Sequence, residues 1–215
     1  MARFCKARLA VAAAILWLVA GLGYLSLEAI AAAAFHPGYS YTHNLISDLG
    51  VIVASPRALA MNAAFCLQGI LFVVAAVLAT WAAGKPGSVL FASFAAANAL
   101  GNILVSAFHS GPAGTAPLHR IGAALAIIGG NAAILAGSSV LANAGLPRWY
   151  RAASVALAVL GFVSLLALFV GSRGAAANGA PAGLWERGSV YSILAWQMLT
   201  ATCLLRVGWA TTQRW

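Results

Sequence analysis

The chain has 215 residues, of which 63% are hydrophobic and only 7% charged, with a mean hydropathy of +0.93. A soluble domain is about half apolar and about one quarter charged, so these side chains cannot cover a soluble surface. That excludes a cytosolic enzyme, a disordered chain and a disulfide-rich secreted domain, and it predicts a polytopic membrane protein. The net charge is +9, from twelve Lys and Arg against three acids. The bases stand singly or in small groups at the ends of hydrophobic runs, as topology signals and headgroup anchors do. Nucleic acid is therefore not an expected partner.

A spanning helix needs about 20 apolar residues, and the chain offers six such runs. Span one covers about residues 9–34 and follows Arg3, Lys6 and Arg8. Its length and the spans behind it predict an uncleaved helix rather than a signal peptide. A loop punctuated by Pro37, Gly38 and Pro56 follows, with His43 to Leu49 readable as a short surface helix. Span two, about 58–83, ends in a turn at Gly84, Lys85 and Pro86, and span three covers about 88–108. The next loop is bracketed by His109 and His119 and broken by Gly111, Pro112, Gly114 and Pro117. Span four, about 121–142, carries Gly122, Gly129, Gly130 and Gly137 at intervals that make one face small and suited to close packing. Span five is about 152–171, after a boundary marked by Arg148, Trp149, Tyr150 and Arg151, and span six is about 188–209. The whole reads as one all-α domain, a single bundle of six transmembrane helices, because only helices and closed barrels satisfy the backbone in lipid.

The three cysteines, Cys5, Cys66 and Cys203, form no CxxC motif and read as small hydrophobes. Cys5, beside Lys6 and Arg8, is an acylation candidate.

Orientation follows from the bases. Arg3, Lys6, Arg8, Lys85, Arg148, Arg151, Arg206 and Arg214 fall on one side, and Arg57, Arg120, Arg173 and Arg187 on the other. The excess predicts both termini in the cytoplasm. His36, His43, Asp48, His109, His119 and Glu186 then lie on the outer side. Glu28, roughly 28 Å along span one, joins them near the outer boundary. The amides Asn62, Gln68, Asn98, Asn102, Asn131 and Gln197 need partners inside the bundle. Together they predict a polar pocket open to the outside.

The order of several short motifs carries a family resemblance. Tyr39, Tyr41 and Ile46-Ser47-Asp48-Leu49-Gly50 follow span one, then Pro56, Met61 and Asn62 open span two. Leu118, His119 and Gly122 open span four, and Trp185, Glu186 and Arg187 open span six. In these features the chain resembles the bacterial "domain of unknown function 998" family of six-helix membrane proteins, over nearly its whole length. The resemblance implies fold and a bacterial inner-membrane location, and no activity. A weaker similarity is to the intramembrane metal-dependent hydrolases that include alkaline ceramidases and adiponectin-type receptors. It rests on Ser47, Asp48, His43, His109 and His119. Those enzymes have seven helices and a His-xxx-His in the last one, and span six here contains no histidine.

The candidate site is read in two ways. In the first, the protein is not an enzyme and needs no cofactor. Its pocket contacts a lipid headgroup or small amphiphile, with Arg57, Arg120 and Arg187 meeting phosphate and Asp48, His109, His119 and Glu186 shaping the cavity. In the second, it is a lipid hydrolase. His43, His109 and His119 hold zinc, Asp48 orients the metal-bound water and Ser47 stabilises an oxyanion. His43 and Ser47 would share a helical face, one turn apart. Alternatively, Ser47 and Asp48 bond only local backbone, and Glu28 and Glu186 pair with an outer-loop arginine. A small transporter or assembly partner is the third class, with a homo-oligomer or another membrane protein as partner. No Walker A loop, G-x-S-x-G elbow or HExxH motif occurs.

Overall fold

The computed structural model describes residues 2–84, 88–110, 115–142, 145–171 and 179–212. Lys85, Pro86, Gly111, Pro112, Gly114, Arg173 and Arg214, read above, lie outside them. The described residues form six α-helices and no strand: α1 (Ala2–Ala33), α2 (Ala58–Ala83), α3 (Ser88–Ala107), α4 (Ala116–Ala142), α5 (Tyr150–Gly171) and α6 (Ala182–Thr212). Each is long and apolar enough to cross a membrane. Every helix packs against its neighbours in sequence, and α6 returns to α1, so the bundle closes as a ring; α4 and α6 also meet across it.

Small residues set the closest crossings, since helices in lipid associate through packing rather than hydrophobic drive. A Cβ on Gly101 would run into the backbone of Gly122 and Ala126, and one on Gly129 would meet the backbone of Asn98 and Phe94. Gly130 and Gly137 admit Ile193 and Trp196 of α6. The glycine face of α4 thus seats α3 along one side and α6 along the other. Helix α2 ends at Gly84, whose left-handed φ of 57° lets its N–H reach Thr80 O at 2.9 Å.

Two buried clusters fill the ring. The one nearer the N-terminus of α1 is dry and aromatic: Trp17, Phe72, Phe91 and Trp196 meet at centroid distances of 5.5–6.4 Å among alanines. The other, formed by Tyr24, Ala31, Ile46, Leu49, Met61, Phe65, Val105 and Leu194, lies beneath the α1–α2 loop. Between them, Gln68 and Gln197 exchange amide hydrogen bonds of 2.8 and 3.2 Å, and Gln197 also donates to Trp17 O. Asn98 donates to Ala126 O at 2.6 Å, and Asn102 to Asn98 O at 3.0 Å. All six amides singled out in the sequence face the interior.

Two helices start earlier than the apolar runs suggest. α4 begins at Ala116 and α6 at Ala182, so His119, Arg120, Glu186 and Arg187 are helical rather than in loops. Hydropathy breaks at such residues, but the helix continues because the buried ones find partners. The α1–α2 loop also differs from expectation. Its helical piece is a short 3-10 helix, Ile46–Gly50, tucked into the bundle end with Ile46, Ser47, Leu49 and Gly50 buried. His43 sits in an exposed turn before it and shares no helical face with Ser47.

Candidate functional site

The loop is fastened by a buried ion pair. Glu28 on α1 is 1% exposed, and its Oε1 accepts from Arg187 Nη2 at 2.9 Å and Nε at 3.1 Å. Tyr191 donates to the other Glu28 oxygen at 2.9 Å. Arg187 Nη1 donates to the carbonyls of Tyr41 and Asn44 in the loop and of Gly183 one turn back, and Nη2 to the Tyr39 hydroxyl at 2.5 Å. The guanidinium also lies over the Tyr39 and Tyr41 rings, 5.2 and 4.6 Å from their centroids. Each N–H-bearing nitrogen is engaged by protein acceptors, and a guanidinium has five N–H donors in all. Arg187, expected to meet phosphate, is occupied by these protein acceptors and holds the loop. Gly183 makes this possible, because a Cβ there would strike the carbonyls of Tyr41 and Asn44. The first turn of α6 adds Leu184 N–H to Thr42 O at 2.9 Å, using a donor that every helix start leaves open.

Asp48 closes the 3-10 helix. Its Oδ2 accepts from Leu45 N–H at 2.9 Å, and the Asn44 side chain donates to the same carboxylate. Burial pushes the Asp48 pKa up from its ordinary value, and these hydrogen bonds hold it down only in part. Burial likewise raises the Tyr39 pKa, keeping a neutral hydroxyl that donates to Leu45 O at 2.8 Å. Glu186, next to Arg187, accepts from Ile46 N–H through Oε2. Asn62 on α2 uses one amide nitrogen for both Gly50 O and His109 Nε2, each at 3.0 Å. His119 on α4 donates from Nδ1 to Phe108 O at 2.8 Å, which leaves its Nε2 as an acceptor.

Beneath the loop lies a cavity of about 40 Å³, room for a few waters or one small polar group. Tyr24, Ser47, Gln68, Asn98, Asn102, His119 and Glu186 supply its polar wall, and Phe65, Val105, Ala123, Ile127, Val190, Ile193 and Leu194 much of the apolar one. Every helix but α5 contributes. Of the residues expected at the site, His119, Glu186 and Ser47 line this cavity. Asp48 and His109 stand behind it, close enough to act electrostatically on His119. Arg57 and Arg120 are exposed where α2 and α4 begin. His43 is exposed on the loop, and among the described residues no three His, Cys, Asp or Glu are grouped as a metal would need. The His43, His109 and His119 ligand set is thus not brought together, and His109 Nε2 already faces the Asn62 amide.

Sequence reasoning missed Tyr24 and Tyr191. The signal was present: Tyr24 precedes Glu28 by four residues and Tyr191 follows Arg187 by four, which places each on the helical face of a charged residue of the ion pair.

Six apolar helices in a closed ring, with polar groups turned inward, define a multi-pass integral membrane protein. The family described as "Protein of unknown function (DUF998)" matches residues 11–203 of this sequence, and the chain belongs to that family. No curated protein and no solved structure matches it.

Proposed function

We propose that this protein binds a small amphiphile or lipid headgroup in the cavity beneath the α1–α2 loop. One observation carries the reading: the cavity is lined by the apolar side chains of Val105, Ile127, Ile193 and Leu194 and by polar ones, among them Tyr24 and Ser47, whose hydroxyls have no partner among the described residues. Such a mixed concave wall suits a ligand with one apolar and one polar part. Exposed Arg57 and Arg120 would meet the phosphates of surrounding lipid. By the distribution of bases, the loop end faces outward from a bacterial inner membrane and both termini are cytoplasmic. The reading requires no catalysis and no cofactor.

Ala123→Phe tests it, because the added ring fills the cavity from α4. The variant and the wild type are purified in mild detergent and compared by native mass spectrometry and lipid extraction. An amphiphile retained near one per chain by the wild type, and lost in a variant that stays folded, supports the reading. Identical lipid profiles in the two contradict it.

A further inference from the structure

The hydrogen-bonding inventory of the cavity points to the polar end of the ligand. Tyr24 is 2% exposed and lines the cavity, yet its hydroxyl has no protein partner among the described residues. Ser47, 7% exposed, lines the same wall with its hydroxyl equally unpaired. Glu186 Oε2 accepts from Ile46 N–H, while no donor among the described residues reaches Oε1. His119 has its proton on Nδ1, engaged by Phe108 O, so Nε2 presents a lone pair. Asn102 spends its amide nitrogen on Asn98, leaving its oxygen. His119, Asn102 and an ionised Glu186 therefore offer acceptors, the two hydroxyls can both accept and donate, and Gln68 and Asn98, whose amide nitrogens donate to Gln197 Oε1 and Ala126 O, each keep a second N–H.

Charge agrees with this count. The chain carries +9, but its three acids all gather at this end, with Glu28 and Asp48 near enough to Glu186 to act on it electrostatically. The embedded base there, Arg187, is engaged through every nitrogen and does not line the cavity. Arg57 and Arg120 are exposed to the surroundings.

We infer that the cavity selects a protonated amine: the ammonium group enters the small acceptor-lined space, and its alkyl chain leaves it past the apolar lining residues. This rests on the amphiphile-binding reading and names its ligand class. An ammonium has three N–H donors and no acceptor, the complement of the acceptors on Glu186, His119 and Asn102. A phosphate would bring only acceptors and negative charge to Glu186.

The test compares hexylamine, hexanol, hexanoate and hexyl phosphate by thermal shift of the full chain in mild detergent near pH 7, where the amine is protonated. Hexylamine is expected to bind about tenfold more tightly than hexanol, as a charge-assisted hydrogen bond allows. Hexanoate and hexyl phosphate are expected to give no shift. Glu186→Gln, which retains an acceptor for Ile46 N–H, should bring the amine down to the level of the alcohol. Tyr24→Phe should weaken the amine without altering the alcohol, and it decides the matter if Glu186→Gln does not fold. Equal binding of amine and alcohol, preference for either anion, or an amine preference that survives the variants overturns the inference and leaves the amphiphile reading standing. No binding of any of the four points to a cavity holding only water and overturns both.

Discussion

The two halves of the bundle solve the burial problem in opposite ways. The half around Trp17, Phe72, Phe91 and Trp196 is dry and is closed by aromatic edges against alanines. Its few polar contacts, such as Trp196 Nε1 to Ser154 Oγ at 3.0 Å and the Tyr150 hydroxyl to Thr200 at 2.9 Å, pair side chain with side chain across α5 and α6. The loop-covered half buries an ion pair, the further acid Glu186 and a cavity lined by the Tyr24 and Ser47 hydroxyls, with Asp48 half-buried beside them. Lipid tails are as apolar as leucine, so neither half is held by hydrophobic drive between helices. The first is specified by shape, the second by complementary polar groups. Of the groups unpaired there, the Tyr24 and Ser47 hydroxyls line the cavity and are open to a ligand, whereas Asn62 Oδ1 and Ser55 Oγ are buried outside it, as Trp17 Nε1 is in the aromatic half.

The comparison is broken most forcefully at the ion pair. Glu28→Ala leaves Arg187 buried without its carboxylate and is expected to cost about 3–5 kcal/mol. Unfolding in mixed micelles containing a denaturing detergent measures that cost. The same variant should free the loop, read as faster proteolysis between Phe35 and Ser55. In the dry half, Trp196→Ala is expected to cost about 3–5 kcal/mol by opening a cavity, while amphiphile retention stays as in the wild type. Loss of retention there would show that the halves are not separable. Gly101→Ala should cost about 1–3 kcal/mol, as overpacking does, because its Cβ would force α3 from the backbone of α4. Smaller still is the coupling between Gln68 and Gln197 at the boundary. A double-mutant cycle with alanine should give about 0.6 kcal/mol, typical of interhelical hydrogen bonds in lipid.

The subtlest effect is the pH response of Asp48. Its folded pKa is raised by burial, so the folded state holds the proton more tightly than the unfolded state. Stability from this group therefore falls as pH rises from the ordinary carboxylate range through the folded pKa. Thermal midpoints of the wild type, taken relative to Asp48→Asn, should be higher at acid pH than at neutral pH. A flat difference would place Asp48 in water rather than in the buried half.

The six helices were legible in the sequence because they follow from continuous apolar runs, and the close packing of α4 because of its small-residue face; the aromatic cluster carries no pattern that marks it. The amides were legible too, since an amide in hydrocarbon has to turn inward. The polar half was legible as a set of residues and not as an arrangement. Glu28 and Arg187 are 159 positions apart and meet only when α6 closes the ring on α1. Hydropathy starts span four only after His119 and span six only after Glu186 and Arg187, so these residues look like loop groups. Arg187 consequently looked available to phosphate, whereas its acceptors are loop carbonyls that no sequence pattern marks. His43 and Ser47 looked like neighbours on a helix, but the backbone turns at His43 and enters a 3-10 helix only at Ile46.

The central claim is that the loop-covered half, and not the lipid-facing surface, takes the ligand. Photo-crosslinking with an alkyl diazirine carrying an amine headgroup, followed by peptide mapping, tests it most directly. Labels on Val105, Ala123, Val190 and Leu194, suppressed by excess hexylamine, are the predicted result. Labels confined to exposed α5 positions such as Val159, Val163 and Leu166, with no suppression, would contradict it.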